Sequence, residues 1–223
     1  MSKPFRSILT VVAAVSMALT TAVALPGTAS AAPSGQGDPA IAAALLRIAE
    51  GKSSPTDIAL IASKPEIAKL VADPSKTTID RTTSPGLDSL LADRKAGVTP
   101  QGVVINGEEI CGNWIEVTIT VRTLLGFVLY KWMAHYGFCI DFQVGVVSRW
   151  DAYYDRLSEV DPTIVATAPA TTWSSPMPNS PAVRGSQRHL QQCVLTYGCW
   201  ANHYPWSEVW VWGTGSWGWR WGA

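Results

Sequence analysis

The chain of 223 residues lacks an excess of either charge, with 17 Lys and Arg against 17 Asp and Glu. That balance excludes a broad basic field for nucleic acid and a polyanionic tail. It has no H-E-x-x-H, no G-x-S-x-G and no G-x-x-x-x-G-K-[ST], so the metalloprotease, α/β-hydrolase and P-loop chemistries that need those spacings are not indicated. Gly213-x-Gly215-x-x-Gly218 does fit a dinucleotide pattern, but the five residues after it cannot supply the helix that receives a pyrophosphate. Histidine is scarce, with three in the chain, and no motif implies a cofactor. Residues 32–100 contain no Cys, Trp, Tyr or Phe, so that stretch alone can bury only modest area.

The first segment reads as an export signal. Lys3 and Arg6 precede an apolar run from Ile8 to about Leu25, and Ala29-Ser30-Ala31 follows with the small residues of a cleavage site. Thr20, Thr21, Pro26 and Gly27 keep the run short of the ~20 residues that span a bilayer. Cleavage after Ala31 leaves 192 residues (223 − 31), with 15 basic against 17 acidic groups. No later stretch is apolar enough to cross a membrane, so the expected product is secreted and extracellular.

Residues 32–100 read as a helical arm or prosegment. Asp38-Pro39 and Ser54-Pro55 each provide an N-cap with Pro at the first helical position, for helices over 41–50 and 58–71. Pro65 should break or kink the second, and a third short helix is expected over 87–95. Residues 101–223 change character. Ile115, Val117, Ile119 and Val121 alternate with polar neighbours, which is a strand with one apolar face. Further strands are expected over 127–138 and 142–150, then a Pro/Ser/Thr-rich surface loop at 161–182. Arg188 to Tyr197 permits strand or helix. The fold class expected is mainly β, a small antiparallel sandwich or open barrel behind a short helical arm.

All four cysteines lie in the β half. An even count in an exported chain implies disulfides with three possible connectivities, of which Cys111–Cys139 and Cys193–Cys199 join neighbouring segments. If Cys193 faces Cys199 across a hairpin, His189 and His203 are also opposed, because both pairs of numbers sum to 392. A Cys2His2 zinc site is removed by oxidation of the thiolates, which leaves the two histidines as a weak metal pair against a reading as packing and hydrogen-bonding groups.

Seven of the eleven tryptophans lie in residues 184–223. Folding the tail about Thr214 and Gly215, with a four-residue turn Gly213 to Ser216, opposes Trp212 to Trp217, Trp210 to Trp219 and Glu208 to Trp221. One face of the ribbon is then almost wholly indole. Turned inward it forms half of a core. Left exposed, it suits pyranose rings, whose C–H faces stack on aromatics, or the headgroup layer of a membrane. The candidate ligand-binding residues are Trp210, Trp212, Trp217 and Trp219, with Glu208 and Arg220 as polar neighbours. Asp151, Asp155 and Glu159 fall at helical spacing and read as a solvated face. His135 or His189 with Asp141 or Asp151 would need a nucleophile that no motif supplies, so no catalytic residue is assigned.

The run Cys111-x-x-Trp114, Leu124-Leu125-Gly126, Tyr130-x-Trp132, Phe138-Cys139 and Cys193-x5-Cys199, then Tyr204-Pro205-Trp206 and a Gly-x-Gly turn, resembles a set of small secreted proteins of high-GC Gram-positive bacteria. The resemblance covers roughly residues 110–223. It implies a β fold with the disulfides paired as above, and no activity. The Trp- and Gly-rich hairpin is also loosely similar in composition to lactococcin-type bacteriocins. The function expected is a secreted, non-enzymatic binding module for a cell-wall glycan or another secreted protein. The alternatives are a membrane-active or bacteriocin-like antagonist and a secreted hydrolase.

Overall fold

A computed structural model describes residues 37–87, 104–105, 109–194 and 196–223, with single positions 89 and 92. The expected export signal, its expected cleavage point and most of the helix expected over 87–95 lie outside the described residues. Helices form where the caps predict them. Asp38 accepts from the Ala40 amide at 2.8 Å and opens α1 (Pro39–Ala49). Ser54 and Asp57 make a reciprocal capping box for α2 (Pro55–Ala62). The chain breaks ahead of Pro65 and resumes as α3 (Pro65–Ala68), followed by a 3-10 turn at Pro74–Lys76.

The remaining elements are strands: β1 (Thr78–Thr83), β2 (Val104–Ile105), β3 (Glu109–Arg122), β4 (Val128–Asp141), β5 (Val146–Ser158), β6 (Ile164–Ala166), β7 (Thr171–Ser174), β8 (Ala182–Gln187), β9 (Leu190–Val194), β10 (Gly198–His203), β11 (Trp206–Val211) and β12 (Trp217–Gly222). They form three antiparallel sheets, in the orders β1-β3-β4-β5 with β2 also beside β3, β12-β11-β8-β7, and β10-β9-β6. The first two pack face to face. Ile115, Val117, Ile119 and Val121 of β3 and Tyr130, Trp132, Ala134, Tyr136 and Phe138 of β4 share one core with Ala182, Val209 and Val211 of the second sheet. The architecture is mainly β and antiparallel, with no closed barrel among the described residues, as expected from the alternation of apolar residues.

Two stretches hold strands beyond those expected from the sequence. The N-terminal region is helical as expected, and beyond its helices it contributes β1, which pairs with β3 from Thr78↔Thr120 to Thr83↔Ile115. Its helices are packed: Ile41, Leu45, Ile61, Ile67 and Val71 bury against Trp200 and Ala201 of β10 in a second core. The missing aromatic is supplied from a distance, which composition of the segment alone does not reveal. The Pro/Ser/Thr-rich stretch at 161–182 contains β6 and β7, short edge strands rather than continuous loop. Both disulfides pair as expected. Cys111–Cys139 joins β3 to β4 beside a bulge, and Cys193–Cys199 joins directly opposed residues of β9 and β10. Among the described residues no helix is long and apolar enough to cross a membrane.

Candidate functional site

The β11–β12 hairpin closes through three residues, not four. Gly215 donates to the Trp212 carbonyl at 2.8 Å, takes a φ of 84°, and lets Trp212 N–H pair with Ser216 O at 2.9 Å. That is a type I turn followed by a left-handed residue, the common three-residue hairpin. The odd loop moves the register by one: Val211 faces Trp217, Val209 faces Trp219 and Glu208 faces Arg220. A one-residue slip exchanges the faces of a strand. The single indole face expected from folding about Thr214 and Gly215 is therefore replaced by two.

On the inner face, Trp217 and Trp219 pack against the main core with Val209 and Val211. Arg81 of β1 lies over both rings, 6.0 and 5.2 Å from their centroids. The outer face carries Trp206, Glu208 and Trp210 of β11 beside Gly222, Arg220 and Gly218 of β12. Trp173 of β7 reaches the same face, since it pairs with Gly185, which pairs with Glu208. Glycine makes the layer flat. A Cβ at Gly185 would lie 2.2 Å from Trp173, and one at Gly222 would lie 2.3 Å from Trp206 Nε1. Both indoles thus rest on the bare backbone of the neighbouring strand.

At the centre of this layer Glu208 is buried at 6% exposure. A buried carboxylate needs partners, and both its oxygens have one. Trp173 Nε1 donates to Oε2 at 2.7 Å, and Arg220 Nη2 meets Oε1 at 2.9 Å. The Arg220 guanidinium lies between Trp206 and Trp210, 5.7 and 5.4 Å from the ring centroids. Stacked in this way a cation gains about 0.5–1 kcal/mol per ring at an exposed site. The result is an electrically neutral patch of indole. Trp173 and Trp212 remain 38% and 37% exposed at its ends.

The layer continues into a groove of about 470 Å³, which Trp206 and Gly222 share with Gln187, Asn202, His203 and Tyr204. A volume of this size suits a small ligand or a segment of a chain. Tyr204 is exposed, stacked on His189 with ring centroids 4.7 Å apart. His189 Nε2 pairs with Asn202 Oδ1 at 2.9 Å. His203 Nε2 donates to Gln192 Oε1 at 3.3 Å, and Gln192 Nε2 in turn donates to the Leu70 carbonyl at 2.6 Å. The His203 ring sits edge-on to Tyr130, and burial pushes its pKa down to about 4. Burial also raises the Tyr130 and Tyr136 hydroxyls well above their ordinary value.

The weak metal pair His189 and His203 does not survive as geometry. Cys193 does face Cys199, but a bulge at Trp200 advances the register, so His203 faces Leu190 and His189 falls opposite Tyr204. Elsewhere, Glu109, Cys111 and Cys139 approach one another closely, yet both sulfurs are spent in the disulfide. His135 is held by Glu116, at 3.0 Å from Nδ1, and stacks on Tyr154 rather than meeting Asp141 or Asp151. Asp151, Asp155 and Glu159 share no helix: Asp155 bonds Arg188 and Trp132 inside the sandwich, while Glu159 pairs with Lys131 at its edge.

Of the residues singled out from the sequence, Trp210, Trp212, Glu208 and Arg220 are gathered on one face, and Trp217 and Trp219 are placed on the other. Trp206 and Trp173 join the face unforeseen. Trp206 was legible through its i+2 and i+4 spacing to Glu208 and Trp210. Trp173 sits 35 residues from its partner Glu208 and carried no such signal. A scan against protein-family models finds no match, and searches of curated proteins and of solved structures find none.

Proposed function

We propose that this chain is an exported, non-enzymatic binding module that holds an uncharged stretch of polysaccharide on the outer face of the β7-β8-β11-β12 sheet. The observation that carries this reading is the indole layer of Trp173, Trp206 and Trp210 around the closed Glu208–Arg220 pair. Flat aromatic surface suits the C–H faces of pyranose rings, and a patch whose charges cancel favours a neutral sugar over an ionic one. The adjoining groove adds amide, phenol and imidazole groups from Gln187, Asn202, Tyr204 and His203, which can exchange hydrogen bonds with hydroxyls. Export is supported by the charged, apolar and small-residue order of residues 3–31 and by two disulfides.

The test is retention of the purified protein on insoluble cellulose, chitin and peptidoglycan. Wild type is expected to be retained on at least one of them. Trp206→Ala combined with Trp210→Ala should weaken retention by roughly 10- to 100-fold, at about 1–3 kcal/mol for the lost aromatic surface. Trp217→Phe, on the inner face, should leave it unchanged. Equal retention of wild type and the double variant rejects the face. Binding to anionic vesicles without binding to any sugar favours the membrane-active alternative.

A further inference from the structure

Arg184 of β8 points from the inner face of the second sheet toward β5. Its guanidinium carbon lies 5.1 Å from the Tyr153 ring centroid and 5.7 Å from that of Trp150. The side chain is half-buried, and no acceptor among the described residues takes a hydrogen bond from it. The β5 acid two residues beyond Tyr153 is already engaged, since both Asp155 oxygens accept from Arg188, at 3.2 and 2.9 Å, and Oδ2 also accepts from Trp132 Nε1. The hydroxyl of Ser186, two residues along β8, is taken by Tyr136 at 2.7 Å. Desolvation accordingly lowers the Arg184 pKa.

A second donor beside it is also without a partner. The Trp150 Nε1–H is buried and makes no hydrogen bond. Burying an N–H without an acceptor is costly, and a half-buried cation gains from a counter-charge. Native structures seldom leave two such donors adjacent unless something else satisfies them. Neither aromatic ring supplies the need: a ring face attracts the cation but accepts no strong hydrogen bond from the guanidinium edge.

We propose that Arg184 and Trp150 form an oxyanion site at the β5–β8 side of the sandwich, taking the carboxylate of a small acid or a phosphate group. A guanidinium offers parallel N–H groups that match two oxygens of such an anion, and the indole N–H provides a third donor from the side. The site is separate from the outer indole layer, because Arg184 and Glu208 lie on opposite faces of the same sheet.

The test uses the intact, ¹⁵N-labelled protein. The Trp150 indole N–H signal, assigned with Trp150→Phe, is followed during titration with sodium acetate and, separately, sodium phosphate, with sodium chloride holding ionic strength constant. The site predicts a saturable shift of that signal with at least one of the two, and the stronger responder identifies the carboxylate or the phosphate as the natural group. Arg184→Gln should weaken the midpoint by roughly tenfold or more, corresponding to about 1.4 kcal/mol. Arg184→Lys, which keeps the charge but loses the fork, should give an intermediate midpoint and stands in if the Gln variant fails to fold. A shift that stays linear, equals that of chloride, or persists unchanged in both Arg184 variants overturns the proposal.

Discussion

His203 shows how one buried group couples the candidate site to solution conditions. Its imidazole is held neutral by burial, with the pKa pushed down to about 4 against 6.5 when free. Between those values the unfolded chain binds the proton that the folded chain refuses, so stability rises with pH across this window and is lost as pH falls from about 6.5 to about 4. The expected loss is up to about 3 kcal/mol. Urea unfolding at a series of pH values checks it. His203→Asn should flatten the dependence in that window, and an equally steep curve in the variant would assign the effect elsewhere. Asp57 acts lower on the scale. The hydrogen bond from Arg47, with those from Ser54, depresses its pKa, so its contribution disappears only as pH falls below the ordinary carboxylate range. What was legible for His203 was its symmetric distance from the disulfide. The bulged Trp200 that spoils the symmetry was not, because an extra residue in one strand is accommodated by tertiary packing of its indole in the helical core.

At the scale of elements, a single turn decides which face of the hairpin each tryptophan takes. Gly213-Thr214-Gly215-Ser216 is compatible with a four-residue or a three-residue loop, and the two differ by one step of register. Local residues cannot choose between them. The choice follows from burial, since Val209 and Val211 must share a face with the core, and from Gly213, whose missing side chain lets it touch the Gly145 backbone of the β4–β5 turn. Gly215, at a φ of 84°, is the position of the turn whose left-handed backbone a side chain strains. Gly215→Ala is expected to cost about 1 kcal/mol in thermal or chemical unfolding. Gly218→Ala should be nearly neutral, because its added methyl meets Trp210 at an ordinary 3.5 Å. Comparable losses for both would contradict the three-residue turn. The strands themselves were readable for the opposite reason. Ile115 to Val121 and Val209 to Val211 alternate over a buried face, and a period of two leaves little else to fold into.

At the scale of the whole molecule, two cores and two crosslinked hairpins hold the indole face in place. Trp200 binds the helices to β10, and the buried Gln192 ties β9 to the Leu70 carbonyl across 122 residues. Such ties join segments whose own compositions say nothing of each other, so the docking of residues 39–71 and the arrival of Trp173 at Glu208 were not legible, while the disulfide partners and the β class were. The consequence is a protein whose aromatic residues serve two separate purposes: one set seals the sandwich, the other lies on the outer sheet face around a neutral ion pair. Titration of the ¹⁵N-labelled protein with a soluble chito- or cello-oligosaccharide, following the indole N–H signals of its eleven tryptophans, separates the two sets directly. The expected result is saturable movement of the Trp173, Trp206 and Trp210 signals while Trp132, Trp217 and Trp219 stay fixed. Movement of Trp217 and Trp219 instead, or no movement of any indole with either sugar, would contradict the outer face as the binding surface.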